Sequence, residues 1–172
     1  MLFFNFAFQY KNIIIFFMKS KFLLFIALVL GGIVAQEKNN HLLHVGLIGG
    51  DTPNFGGALQ YHYRAHEQFS VGANVGLGFT GRGNLFVFTF KPAVQFDYHF
   101  AQLAKLPNEW DLYAGVQGGI VLNAVAGATG VTGHGGIRAG MRYFVTPSMG
   151  IQTEISGGYL SNGMQAGIVW KL

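Results

Sequence analysis

The chain has 172 residues, of which only 10% are charged, 26 are Gly, 17 are Phe and none is Cys. A soluble domain carries roughly 25% charged residues, so the composition argues against a water-exposed surface, and the lack of Cys excludes a disulfide framework or a thiolate metal site. The formal charge of +4 does not point to nucleic acid, because Lys11, Lys19 and Lys21 precede Gln36 and the rest of the chain sets eight bases against seven acids.

The N-terminal segment reads as a leader. Met18–Lys21 is basic, Phe22–Val34 is an apolar core, and Ala35 offers a small residue before Gln36. These are the three parts of a secretory signal. Ile33 is an unusual residue at the third position before that cut, and an uncleaved membrane anchor is the alternative. Residues 1–17 do not fit in front of such a signal, so translation is expected to start at Met18. The expected organisation is a leader over 1–35 and a single domain over 36–172.

Beyond residue 35 no unbroken apolar run approaches the ~18–20 residues that a spanning helix needs. The pattern there has period two. Phe86, Phe88, Phe90, Val94, Phe96, Tyr98 and Phe100 share one face, and Thr89, Lys91, Gln95, Asp97 and His99 share the other. Met149, Ile151, Thr153, Ile155 and Tyr159 alternate with Gln152, Glu154 and Ser156 in the same way. Such alternation marks β-strands. Eight segments are predicted, at 41–50, 55–65, 69–80, 85–100, 110–124, 133–145, 148–160 and 163–172. Turn chemistry separates most of them, at Asp51–Asn54, Gly81–Asn84, Leu106–Glu109, Thr146–Ser148 and Ser161–Gly163. Their length suits the ~9–11 residues of a tilted transmembrane strand.

Lipid accepts β-structure only as a closed barrel, because every backbone polar group must be paired. The predicted fold is therefore all-β, an eight-stranded antiparallel up-and-down transmembrane barrel preceded by a cleavable signal helix. A soluble lipocalin-like barrel would show the same alternation with the apolar face inward. Two features favour the apolar face outward. The polar face is rich in glycine (Gly72, Gly76, Gly78, Gly115, Gly119, Gly140), as a narrow lumen requires. Aromatics gather near segment ends (Phe55, Phe69, Phe79, Phe100, Trp110, Tyr143, Tyr159, Trp170), as in interfacial girdles. The polar face also carries Arg64, Lys91, Asp97, Arg138, Arg142 and Glu154. Buried charges are tolerated when paired, so these six are predicted to fill the lumen as a salt-bridge network. A narrow polar conduit or a small-ligand pocket is the functional alternative.

Other motifs carry less. Gly76-Leu-Gly78-Phe-Thr-Gly81 matches G-x-G-x-x-G, but a strand and not a helix is predicted to follow, against the dinucleotide fingerprint. His62 and His66 would lie ~13 Å apart on a strand, too far to share a metal. No metal or cofactor is expected.

The C-terminal run Gln165-Ala-Gly167-Ile-Val-Trp170-Lys-Leu172 resembles the terminal-strand signal read by the outer-membrane assembly machinery, with Leu in place of the usual Phe at the end. Leu112–Val116 resembles the strand start common in small outer-membrane barrels, and Arg142–Ser148 their short periplasmic turn. Together, over roughly 41–172, the chain resembles the eight-stranded outer-membrane barrel superfamily, of the kind found in the transmembrane domain of outer-membrane protein A. The resemblance implies an outer-membrane location, lipid and the assembly machinery as partners, a monomer, and no nucleic acid. It places outer loops at 51–54, 81–84, 125–132 and 161–163, all short, which disfavours an adhesin. The longest inner connection is then Ala101–Glu109, and no further domain is expected after Leu172. Some relatives of that superfamily are lipid A deacylases or acyltransferases, and the deacylases use a His-x-Ser pair with an acid in a neighbouring strand. Here the second residue after each histidine is Leu43, Gly46, Arg64, Gln68, Ala101 or Gly136, never Ser. Glu154, Ser156 and His134 are the remaining candidates for such chemistry, with nothing in their spacing to favour it. The expected role is structural or envelope-stabilising and not enzymatic.

Overall fold

The computed structural model of the protein describes residues 40–82, 85–125 and 128–172. The expected leader at 1–35 and its cleavage site lie outside the described residues. Eight strands follow one another: β1 His41–Gly50, β2 Phe55–His66, β3 Phe69–Arg82, β4 Leu85–His99, β5 Trp110–Val125, β6 Ala128–Phe144, β7 Met149–Tyr159 and β8 Gly163–Lys171. Each pairs antiparallel with the next, and β8 returns to β1 to close the barrel. His41 and Leu172 mark its lower end, where Leu172 N donates to His41 O at 2.9 Å. The turns have local chemical causes. At 145–148 the Thr146 hydroxyl accepts from Met149 N at 3.0 Å. At the upper end Asn54 donates to Gly50 O at 2.9 Å and accepts from Gly81 N at 2.7 Å, tying the first turn to β3.

Two irregularities follow from the sequence. The β4–β5 register runs through Phe90↔Leu122 and Ala93↔Gly119 but is interrupted between them, at Lys91-Pro92, where proline has no N–H to give. A bulge between Arg64 and His66 ends β2. Seven of the predicted strands match within about two residues, but the sixth does not. The sequence predicts it at 133–145 after a loop over 125–132; instead β5 and β6 stay paired up to Val125↔Ala128. Pairing of β6 with β7 begins only at Gly135↔Tyr159, so the upper part of this hairpin projects beyond its neighbour. Ala128-Thr-Gly-Val-Thr-Gly133 has too little polar-apolar contrast to reveal an alternation, which is why it read as a loop.

The pleat directs the two faces oppositely. Val94, Ile137 and Ile155 stand on the exterior with 70%, 69% and 64% exposure, while Gln60, His62, Thr89, Asp97 and Arg142 on the interior have none. The barrel is thus apolar outside and polar inside. This is the reverse of a water-soluble barrel and sets the lipocalin-like alternative aside. Exterior aromatics pair near the strand ends: Trp110 with Tyr143 at 4.8 Å, Phe69 with Tyr98 at 5.2 Å, and Phe79 with Phe88 at 5.8 Å between ring centroids.

Candidate functional site

The inward positions of β2 to β7 meet in the lumen and build two linked ion-pair clusters. In the lower cluster Asp111, the first inward residue of β5, is the hub. Its Oδ2 accepts from Arg64 Nη2 at 2.7 Å and Arg142 Nη1 at 2.9 Å, and its Oδ1 lies 2.7 Å from His99 Nδ1. In the central cluster Glu154 Oε2 accepts from Arg138 Nη2, from the Tyr113 hydroxyl at 2.8 Å and from Gln60 Nε2 at 3.4 Å. Asp97 lies 3.4 Å from Arg138 Nε and 3.3 Å from His62 Nδ1. A relay joins the two clusters: Arg142 Nε donates to Gln152 Oε1 at 2.7 Å, and Gln152 Nε2 donates to Gln60 Oε1 at 2.8 Å.

Arg64, Arg138 and Arg142 thus face Asp97, Asp111 and Glu154, and the formal charges cancel. Tyr113 is fully buried between the clusters, with the Arg142 and Arg138 guanidinium carbons 4.2 and 5.3 Å from its ring centre. Such stacking adds a cation–π attraction to the ion pairs. Glycine makes the room. A Cβ at Gly140 would sit 2.5 Å from Tyr113 Cζ, and one at Gly72 would sit 2.7 Å from His62 Nδ1.

Five of the six predicted lumen residues therefore meet in these clusters. Lys91 does not join them. It lies near the upper end, where its ammonium donates to the carbonyls of Leu160 at 2.7 Å and Thr52 at 3.3 Å. Beside it a pocket of about 50 Å³ is lined by Thr52, Asn74, Lys91, Gln117, Ser161 and Gln165. At ~10–15 Å³ of such volume per water, it has room for a few waters. Sequence reasoning did not place Asp111, Tyr113, Gln60 or Gln152 in the network. Asp111 and Tyr113 do alternate with Trp110 and Leu112, which was the available signal.

The remaining candidates are dispersed. His134 reaches Ser161 at 3.1 Å, the Ser156 hydroxyl donates to the Ser161 carbonyl, and Glu154 is held by Arg138, so those three residues form no catalytic group. His62 points inward and His66 is exposed. Among the described residues no cluster of three or more His, Asp or Glu is placed to hold a metal. Gly76–Gly81 lies within β3 and leads into a strand. On β8, Gln165 points inward to His44 Nδ1 at 2.9 Å, Gly167 lies opposite Gly46, and Trp170 lies opposite Leu43.

No family model and no curated protein matches the chain. Among solved structures it is similar to Neisserial surface protein A, with a TM-score of 0.55 and 13% identity, covering 80% of this chain and 100% of that one. The N-terminal barrel domain of Pseudomonas aeruginosa OprF gives a TM-score of 0.48 and 14% identity, covering 78% of this chain and 98% of that one. At these identities the likeness concerns the fold. The fold is that of the small eight-stranded barrels to which the terminal motifs pointed.

Proposed function

We propose that the chain is an outer-membrane β-barrel with a structural, envelope-stabilising role, its lumen closed by a neutral ion-pair plug. The observation that carries this reading is the set of three guanidinium and three carboxylate groups paired inside the lumen, with the fully buried Tyr113 against Arg138, Arg142 and Glu154. Interior charges of this kind are tolerable when they are paired, and here each of the three guanidiniums has a carboxylate oxygen within 3.4 Å. An eight-stranded barrel leaves an interior just wide enough for such side chains. The apolar exterior with aromatic pairs near both ends supports a lipid environment. The leader composition supports export, and the Gln165, Gly167, Trp170 and Leu172 pattern supports recognition by the barrel-assembly machinery.

Cell fractionation combined with gel mobility before and after boiling tests the location. Recovery in the outer-membrane fraction with a mobility shift on boiling is expected; recovery in soluble periplasm without a shift would refute it. Planar-bilayer recording tests the plug. The plugged lumen is expected to give no steady single-channel steps, and regular steps of uniform size would favour the narrow-pore alternative.

A further inference from the structure

Three inward side chains at the lower end form an arrangement that a plug does not require. Ser70 Oγ lies 2.8 Å from His99 Nε2, and His99 Nδ1 lies 2.7 Å from Asp111 Oδ1. The register of β3, β4 and β5 builds it. Ser70 is opposite Asp97, and His99 is the next inward residue of β4; His99 is opposite Tyr113, and Asp111 is the inward residue before it on β5. Each step is thus a diagonal cross-strand neighbour, within reach of a long side chain.

Hydrogen-bond logic then orders the protons. A carboxylate can only accept, so the His99 proton facing Asp111 sits on Nδ1. That leaves the Nε2 lone pair toward Ser70, whose hydroxyl donates to it. Arg64 Nη2 lies 3.0 Å from the same Nδ1 but directs its own hydrogen bond to Asp111 Oδ2. Asp111 is also held by Arg142, which fixes the carboxylate that orients the imidazole. A nucleophile, a base and a group that orients the base, all within hydrogen-bond reach, are the geometric signature of an activated serine.

We propose that Ser70 is a nucleophilic serine, activated by His99 and Asp111, that accepts the acyl group of a small carboxylic ester. Ser70 Oγ attacks the carbonyl carbon and forms the new C–O bond while its proton passes to His99 Nε2. The bond to the leaving alkoxide breaks, and His99 returns the proton to that alkoxide, which leaves as the alcohol. Water then hydrolyses the acyl-serine through the same base.

Access is from the lower end. Ser70 is the second residue of β3, and the residue opposite it is Arg64, whose side chain is 31% exposed. Ser70 itself is fully buried, so a substrate reaches it only when the Arg64 side chain leaves Asp111 and moves aside. The narrow lumen restricts the substrate to an acyl group of about acetyl size. This activity goes beyond the structural reading; it opens the Arg64–Asp111 pair at the lower end and does not involve the central cluster around Glu154.

The test uses the purified full barrel, refolded in detergent, with p-nitrophenyl acetate. Peptide mapping of the unmutated protein is expected to find acetyl on Ser70. Acetylation of that site is expected to disappear in Ser70→Ala, and p-nitrophenol release to fall at least ~100-fold, because the nucleophile that the base activates is gone. His99→Gln is expected to lose both while keeping the mobility shift of a folded barrel. Acetyl found only on lysines or the N-terminus of the folded unmutated barrel would overturn the proposal, as would equal release by Ser70→Ala. Mapping on the unmutated chain requires no variant, so misfolding of His99→Gln does not spoil the test.

Discussion

Replacing Glu154 by Gln removes one negative charge from the centre of the lumen and changes almost no volume. Glu154 Oε2 receives three donors: Arg138 Nη2, the Tyr113 hydroxyl and Gln60 Nε2. The amide oxygen of Gln retains part of this acceptor capacity, but the remaining charges become three guanidiniums against two carboxylates. Arg138 keeps Asp97, though only at 3.4 Å through Nε. Removing one partner of a buried pair costs about 3–5 kcal/mol. The retained amide oxygen and the Asp97 contact place Glu154→Gln near the lower bound, at about 3 kcal/mol. With a urea slope of about 2 kcal/mol/M, the unfolding midpoint falls by about 1.5 M. The assay is urea unfolding of the barrel in lipid vesicles, followed by Trp fluorescence and by gel mobility. Replacing both partners, Arg138→Met with Glu154→Met, restores two guanidiniums against two carboxylates but takes the guanidinium away from Asp97, so only part of the loss is expected to be recovered. A Glu154→Gln midpoint within ~0.25 M of the parent, about 0.5 kcal/mol at that slope, would refute a packed ion-pair lumen.

Three further outcomes follow from the same structure. Gly140→Ala places a methyl group against the Tyr113 ring and 2.8 Å from the Thr153 carbonyl; the overpacking is expected to cost about 1–3 kcal/mol in the same unfolding assay. Ile137→Arg puts a charge on the exterior and is expected to cost up to about 2–4 kcal/mol in a bilayer, yet little in water, so comparing vesicles with detergent-free buffer separates a lipid-facing wall from a wet one. Val131→Lys lies on the part of β6 that projects beyond β7, and is expected to change stability by less than about 0.5 kcal/mol; a larger loss would place that hairpin tip in the membrane.

Much of the fold was legible because alternation and turns are local signals. Phe86 to Phe100 announces its strand within one segment, and Asp51–Asn54 announces a turn by its own residues. What escaped depends on partners far away in sequence. Sign and face mark the six lumen charges in the sequence, but which of them touch depends on barrel closure. Glu154 meets Gln60 across 94 positions and Arg64 meets Asp111 across 47. Lys91 shares the inward face with Asp97, but it sits six residues nearer the upper end, about 20 Å along a strand. It therefore finds carbonyls instead of carboxylates. Asp111 stands beside Trp110 at a strand start, where an acidic residue resembles turn chemistry. The Ser70, His99 and Asp111 group combines both problems, since it needs three strands in register and no two of its members are neighbours in sequence.

The polarity of the lumen has a further cause that stability alone does not supply. Well-packed apolar side chains often match or exceed a buried ion-pair network in stability, so a greasy lumen would hold the barrel together equally well. The chain that results, however, would read differently before folding. With apolar residues on both faces, β6 alone would be 17 consecutive apolar residues and β5 would be 16, at or near the ~17–25 that a spanning helix needs. An exported chain of that kind would be held in the first membrane it met. Gln, His, Asp and Arg at alternate positions keep each strand's hydropathy below that threshold while leaving the exterior predominantly apolar. The same residues must then be neutralised once the barrel closes, and opposite charges in equal number do this without a ligand. On the proposed route, the ion-pair network is therefore the structural consequence of delivering an apolar-walled barrel through a membrane without stopping there.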